Sequence, residues 1–176
     1  MSRRPRLAAR YPRRPVTEGA RVDILGRHLA AMLAAAALLG ACASKPPPPA
    51  SVAGTIAASP EVNPSASRRP SPILVRVYEL KSAAAFNGAD FMSLYQRDQA
   101  SLAADMLAKE EYTLSPGESK TFAKTLAPDT RFLGVVGAYR DLEHAKWRSV
   151  VPITPNQPQK VTITAGELAI EASVSK

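Results

Sequence analysis

From Val52 to the C-terminus, apolar and polar residues alternate in short runs, the period-two pattern of half-buried strands. Val52, Gly54, Ile56 and Ala58 share one face of a first, weakly apolar strand. Ile73-Leu-Val-Arg-Val-Tyr-Glu-Leu80 is the clearest strand, rich in β-branched residues and apolar on both faces, as in a central strand covered on two sides. Between residues 82 and 106 the period lengthens. Phe86, Phe91, Leu94 and Tyr95, with Asp90 as an N-cap, predict one or two short helices, and Leu102 and Met106 predict a third over 98–106. Strands resume over 108–114 and 119–126, which flank the turn Ser115-Pro-Gly-Glu118, and then over 132–140 and 147–153. Val161 and Ile163 alternate with Thr162 and Thr164; finally Leu168, Ile170, Ala172 and Val174 face in while Glu167, Glu171 and Ser173 face out. The sum is a mainly β chain: an eight-stranded β-sandwich with a short helical insertion after the second strand, over residues 52–176.

The N-terminal segment has a different pattern. Arg27-His28 precedes an unbroken apolar run, Leu29 to Leu39, of eleven residues. A membrane-spanning helix needs about 20. The run fits the core of a signal peptide, with its basic flank on the expected side. Leu39-Gly40-Ala41-Cys42 then matches the lipobox of bacterial lipoproteins: small residues lie flat in a peptidase cleft, and the cysteine sulfur takes the lipid. Residues 1–41 thus read as a leader, with the signal peptide over 22–41 and translation expected to begin near Val22. Several acyl chains on Cys42, at roughly 0.8 kcal/mol per buried methylene, hold a protein on its bilayer. Residues 42–51, with prolines at 46 to 49, read as a lipidated spacer of about 30 Å at full reach. Ala43 stands where an inner-membrane retention signal has Asp, which implies the outer membrane.

Charge and composition narrow the rest. The net charge of +8 sits mostly in the leader, where eight Arg against two acids leave +6; residues 42–176 carry fifteen basic and thirteen acidic side chains. A nucleic-acid partner therefore loses its main support. With one cysteine and two histidines, no disulfide can form within the chain and no metal site is expected. Asp141-Leu-Glu-His144 offers a base beside carboxylates, but no serine sits in a nucleophile elbow, so no catalytic residue is assigned. Glu110 and Glu111 should point to opposite faces of a strand, and Gly134 and Gly137 should mark close packing. Trp147 reads as a plug at the end of the sandwich or as an exposed binding anchor. Arg68-Arg69 lies in a loop, residues 60–72, that prolines 64, 70 and 72 restrict, which lowers the ordering cost of binding a partner. A ligand- or glycan-binding lipoprotein is the alternative, and it requires a concave pocket lined by aromatics.

The order of these pieces is familiar: Asn63-Pro64, Arg69-Pro70-Ser71-Pro72, Val75-Arg76-Val77-Tyr78-Glu79-Leu80, Phe86-Asn87, Phe91 to Leu94, Leu114 to Glu118, Leu133 to Asp141 and Trp147-Arg148, all after an anchored cysteine. Together they resemble the TssJ (VasD, SciN) lipoproteins of the bacterial type VI secretion system. The resemblance implies a transthyretin-like β-sandwich with added helices, and a non-enzymatic role with no cofactor at the periplasmic face of the outer membrane. It implies a partner, the periplasmic C-terminal part of the inner-membrane protein TssM, and through it TssL. The family's contact loop joins the first two strands, which here makes Asn63, Arg68 and Arg69 the expected partner-binding residues.

Overall fold

The first strand, β1 (Ser51–Ala58), buries Val52, Ile56 and Ala58, whereas β2 (Ile73–Leu80) is apolar on both sides because both of its faces are covered. Ile73, Val75 and Val77 enter the main core; Tyr78 and Leu80 enter a second, smaller one. The coordinates are a computed structural model, which describes residues 48–175. Six further strands follow: β3 (Met106–Leu114), β4 (Ser119–Thr125), β5 (Phe132–Gly137), β6 (Arg148–Pro152), β7 (Pro158–Ala165) and β8 (Ile170–Ser175). One sheet runs β4-β1-β7-β8 and the other β3-β2-β5-β6. Neighbours are antiparallel except β1 and β7, which run parallel with Gly54 opposite Val161. The main core lies between the sheets, as in an aligned sandwich.

The helical insertion lies between β2 and β3 and covers the outer face of their sheet. Helix α1 (Ala84–Gly88) contributes Phe86, and α2 (Phe91–Leu102) contributes Leu94 and Leu102, against Tyr78, Leu80 and Val136. A β-carbon at Gly134 would lie 2.9 Å from the Phe86 ring and from Leu80, so the close seating of Phe86 needs the glycine. Asp90 caps α2 as expected, accepting from the Ser93 N–H at 2.8 Å, and these bonds hold its carboxyl below the usual range. Two arginines clamp the insertion to the sheet. Arg76 Nη1 donates to the carbonyls of Leu94 (3.2 Å) and Tyr95 (2.6 Å), and Arg148 Nη1 to those of Phe86 (3.2 Å) and Ala89 (2.8 Å).

The third helix expected over 98–106 is a continuation of α2. The backbone breaks at Arg97 (φ −138°, ψ 35°), resumes to Leu102 and tightens into a 3₁₀ turn over Ala103–Asp105. Met106 already pairs with Leu80 in the sheet, so strand pairing overrides the helical spacing of Leu102 and Met106. The β5 strand also stops short of the predicted 140, at Gly137, because the Tyr139 N–H turns back to Gly137 O (3.0 Å) and the Arg140 N–H goes to Asn63 Oδ1 (2.7 Å), so neither joins the ladder.

At the open side of the sandwich, Lys124 joins the sheets. Its ammonium lies 2.6 Å from both Glu79 and Glu110, and Glu79 also accepts from Ala127 N–H and Thr130 Oγ1, each at 2.9 Å. Glu110 therefore faces inward, while Glu111 faces outward to Arg76 at 2.8 Å, as the sequence predicts. The hydrogen bond from Lys124, then that from Tyr112, keeps the Glu110 carboxyl below its ordinary range. The Ser115-Pro-Gly-Glu118 turn closes through Glu118 N–H to Ser115 O at 2.9 Å, with Gly117 at φ +76°, a conformation that glycine adopts without strain.

Candidate functional site

The loops β1–β2, β3–β4, β5–β6 and β7–β8 leave from one end of the strands; the insertion and the chain entry at Ser51 belong to the other ends. The longest of these loops without a helix of its own follows β1. Ser59 N–H donates to Ala165 O (2.8 Å), and fully buried Val62 plugs the loop into the main core. Beyond Val62 no apolar side chain of the loop reaches that core, and hydrogen bonds take over.

Asn63 is the centre of that bonding. It is 3 % exposed and sits at φ 51°, a left-handed conformation that Asn tolerates better than most residues. Its Nδ2 donates to Pro72 O at 2.8 Å, which closes the base of the loop. Its Oδ1 accepts from Arg140 N–H at 2.7 Å, and its own N–H donates to Glu167 O at 3.0 Å. One side chain and one amide thus join the β1–β2, β5–β6 and β7–β8 loops.

Above Asn63 the loop closes on itself. Arg68 N–H donates to Ser65 O (2.8 Å), Ser65 N–H to Arg69 O (2.8 Å), and Arg69 N–H to Ser65 Oγ (3.2 Å). These bonds hold Arg68 at φ 58°. A non-glycine residue there is uncommon, and the bonding leaves the side chains of Arg68 and Arg69 exposed.

Across from this tip stand Arg140, Asp141, Glu167 and Leu168. Between them and the Pro64 to Arg68 stretch runs an open groove of about 900 Å³. The far wall is itself tied together, by Tyr139 Oη donating to Gly166 O (3.2 Å) and Lys146 N–H to Leu168 O (2.8 Å). Burial pushes the Tyr139 phenol up, so it remains a donor. The groove carries both charge signs and no aromatic side chain among its lining residues. It is suited to a polar protein segment rather than to the aromatic stacking a glycan site uses.

His144 Nδ1 lies 2.9 Å and 3.0 Å from the two carboxylate oxygens of Asp141, and this contact holds the Asp141 carboxyl below its ordinary range. The imidazole is well exposed, and no serine, threonine or cysteine bonds to it among the described residues. The pair has the loop geometry of a capped turn, with His144 N–H also donating to Asp141 Oδ1 at 3.1 Å. No group of three or more metal-ligating His, Cys, Asp or Glu forms among the described residues. Trp147 is half-buried, meets Phe91 edge-on at 5.4 Å and lies under Arg148 at 4.9 Å, joining the two cores.

Of the residues picked out from the sequence, Arg68 and Arg69 project from the loop tip, while the Asn63 side chain is turned inward and bonded at both Nδ2 and Oδ1. Cys42 and the leader lie outside the described residues. Arg140 and Glu167 join the groove without having been singled out as site residues. Their signal was faint, since charged residues just beyond strand ends are common. Their convergence depends on the pairing of β1 with β7, which no local pattern encodes.

A family model described as "Type VI secretion lipoprotein, VasD, EvfM, TssJ" matches residues 50–168. No curated protein matches the chain. Among solved structures, the crystal structure of the T6SS lipoprotein TssJ1 from Pseudomonas aeruginosa is 38 % identical, with a TM-score of 0.71; the match covers 73 % of this chain and 98 % of that one. Serratia marcescens Lip, described as a membrane-bound component of the type VI secretion system, is 28 % identical over 70 % of this chain and 96 % of its own, with a TM-score of 0.64. A chain from a structure described as the T6SS protein TssM C-terminal domain from EAEC is 28 % identical, with a TM-score of 0.55, over 69 % of this chain and 99 % of that one.

Proposed function

We propose, because the chain belongs to the VasD/TssJ family of type VI secretion lipoproteins, that it is a structural docking lipoprotein at the periplasmic face of the outer membrane. Acyl chains on Cys42 hold it there, and its loop end grips the periplasmic C-terminal domain of a TssM-type inner-membrane protein, and through it TssL. Its role is mechanical rather than catalytic. The observation that carries this reading is the polarity of β1. The chain enters β1 at Ser51, which follows Cys42 in sequence, and the loop with Arg68 and Arg69 leaves from the opposite end of the strand. Eight residues of strand separate the two by about 25 Å. A tether at one end and an exposed arginine tip at the other suit a module that bridges a bilayer and a second envelope protein. A chain similar to this one occurs in the EAEC structure described as the TssM C-terminal domain, which supports that domain as the partner.

Fractionation and co-purification test it together. Cys42→Ser should release the protein from the outer-membrane fraction and stop secretion, whereas normal secretion by an unlipidated, soluble form would overturn the reading. From detergent-solubilised envelopes, the intact lipoprotein should recover the TssM-type partner. Replacing residues 64–70 by a short glycine-serine link should lose it. Recovery undiminished by that replacement would remove the loop end from the interface.

A further inference from the structure

We infer that Asn63 is a positioning residue: it does not touch the partner but staples the three loops of the docking end into the arrangement the partner binds. The inference rests on the reading that the loop end is the docking surface, and it changes what Asn63 is for. The side chain is 3 % exposed, so a partner cannot reach it without opening the loop. The side chain donates from Nδ2 to Pro72 O at 2.8 Å and accepts at Oδ1 from Arg140 N–H at 2.7 Å, while the backbone N–H of Asn63 donates to Glu167 O at 3.0 Å. Those segments carry both walls of the groove, Pro64 to Arg68 on one side and Arg140, Asp141 and Glu167 on the other. Little else crosses from the tip to the far wall. The remaining bonds of the tip are internal to Ser65–Arg69, and Ser71 N–H returns to Val62 O at 3.1 Å within the same loop. The left-handed backbone at Asn63 fits this task, since it turns the amide inward while the chain continues outward to Pro64.

Without the staple the sandwich remains, because its core does not include Asn63, but the loops sample other arrangements and the binding-competent fraction falls. Apparent affinity falls by that fraction, through slower association rather than faster release. Losing two side-chain hydrogen bonds corresponds to a drop of about tenfold. Asn63→Gly keeps the backbone conformation and deletes both bonds. Binding of the purified periplasmic domain of the TssM-type partner to the full lipoprotein in detergent should show association about tenfold slower, with dissociation unchanged. The loss should be equal at low and high salt, because no charge is removed. The thermal midpoint should shift by only a few degrees. An Arg68→Ala, Arg69→Ala pair in the same assay should instead show a loss that shrinks with salt. Should the arginine pair weaken binding while Asn63→Gly leaves association intact, the staple is wrong and the docking reading stands. If neither set weakens binding, the docking reading itself fails. In the unaltered protein, the Arg140 amide should exchange with solvent deuterium far more slowly than the amide of Glu143 in the same loop; exchange at an ordinary loop rate would also overturn the staple.

Discussion

Two additions decorate the same sandwich, and they are fastened by opposite means. The helical insertion is held by burial: Phe86, Leu94 and Leu102 are at most 2 % exposed beneath it, with Arg76 and Arg148 bonding its carbonyls from the sheet. The β1–β2 loop sends one apolar side chain, Val62, into the core and is otherwise held by hydrogen bonds that meet at Asn63. Burial fixes a layer but spends its side chains on the inside. Backbone bonding fixes a loop and leaves the side chains at its tip free, which is what a docking surface requires. The comparison also explains where the aromatics are: Tyr78, Phe86, Phe91, Tyr95 and Trp147 all gather on the insertion side, and none lines the groove.

The largest expected effect breaks the insertion. Phe86→Ala should cost about 3–5 kcal/mol in urea unfolding, from lost burial and a cavity against Gly134 and Leu80. The folded fraction should still bind the partner normally; a loss below about 1 kcal/mol would mean that burial is not what fastens the helices. At the other pole, Arg68→Ala with Arg69→Ala should leave the unfolding curve within about 0.5 kcal/mol of the original, yet weaken partner binding about tenfold at low salt. A pair of substitutions that unfolds the chain instead would place the arginines in the architecture.

The insertion should also be the acid-sensitive region. Burial raises the Asp98 carboxyl, but its bonds from Lys109 (2.8 Å) and the Gln99 amide, with the nearby charges, outweigh this and leave it below the ordinary range. A carboxylate so held stabilises the fold above its unfolded value, about 3.9, and loses that contribution as pH falls through the depressed native one. Stability should therefore be flat above about pH 5 and fall below about pH 4, and Asp98→Asn should flatten that fall as read by chemical unfolding at each pH. An unchanged acid limb in Asp98→Asn would assign it to other carboxylates, Glu110 beside Lys124 first among them. The smallest effect is a gain. Ala103 sits at φ 44°, ψ −123°, where a β-carbon is strained, so Ala103→Gly should raise stability by up to about 1 kcal/mol.

Much of the sandwich could be read from the chain, because each strand states its own burial. Ile73 to Leu80 showed apolar residues on both faces, and Val161 and Ile163 alternate with Thr162 and Thr164 as expected, although buried Gln159 extends the inward face without an apolar signal. Asp90 and the Ser115-Pro-Gly-Glu118 turn carry their chemistry locally. What stayed hidden depends on residues far apart in sequence. The parallel pairing of β1 with β7 has no local signature, and Met106 was taken from a helical period by its partner Leu80. Asn63 shows the limit best. An asparagine before a proline signals a turn, and the resemblance to the TssJ lipoproteins, whose contact loop joins the first two strands, made it an expected contact residue. Only the return of Arg140, 77 positions later, shows that its side chain is used inside.

The most direct test of the docking account is a photo-crosslinker placed by codon replacement in living cells, at Arg68 on the loop tip, at Met92 on the insertion and at Thr162 on the outer face of the other sheet. All three sites are exposed. The account predicts that light joins the Arg68 probe to the TssM-type partner and leaves the other two unjoined. Crosslinks to that partner from Met92 or Thr162, with none from Arg68, would contradict it.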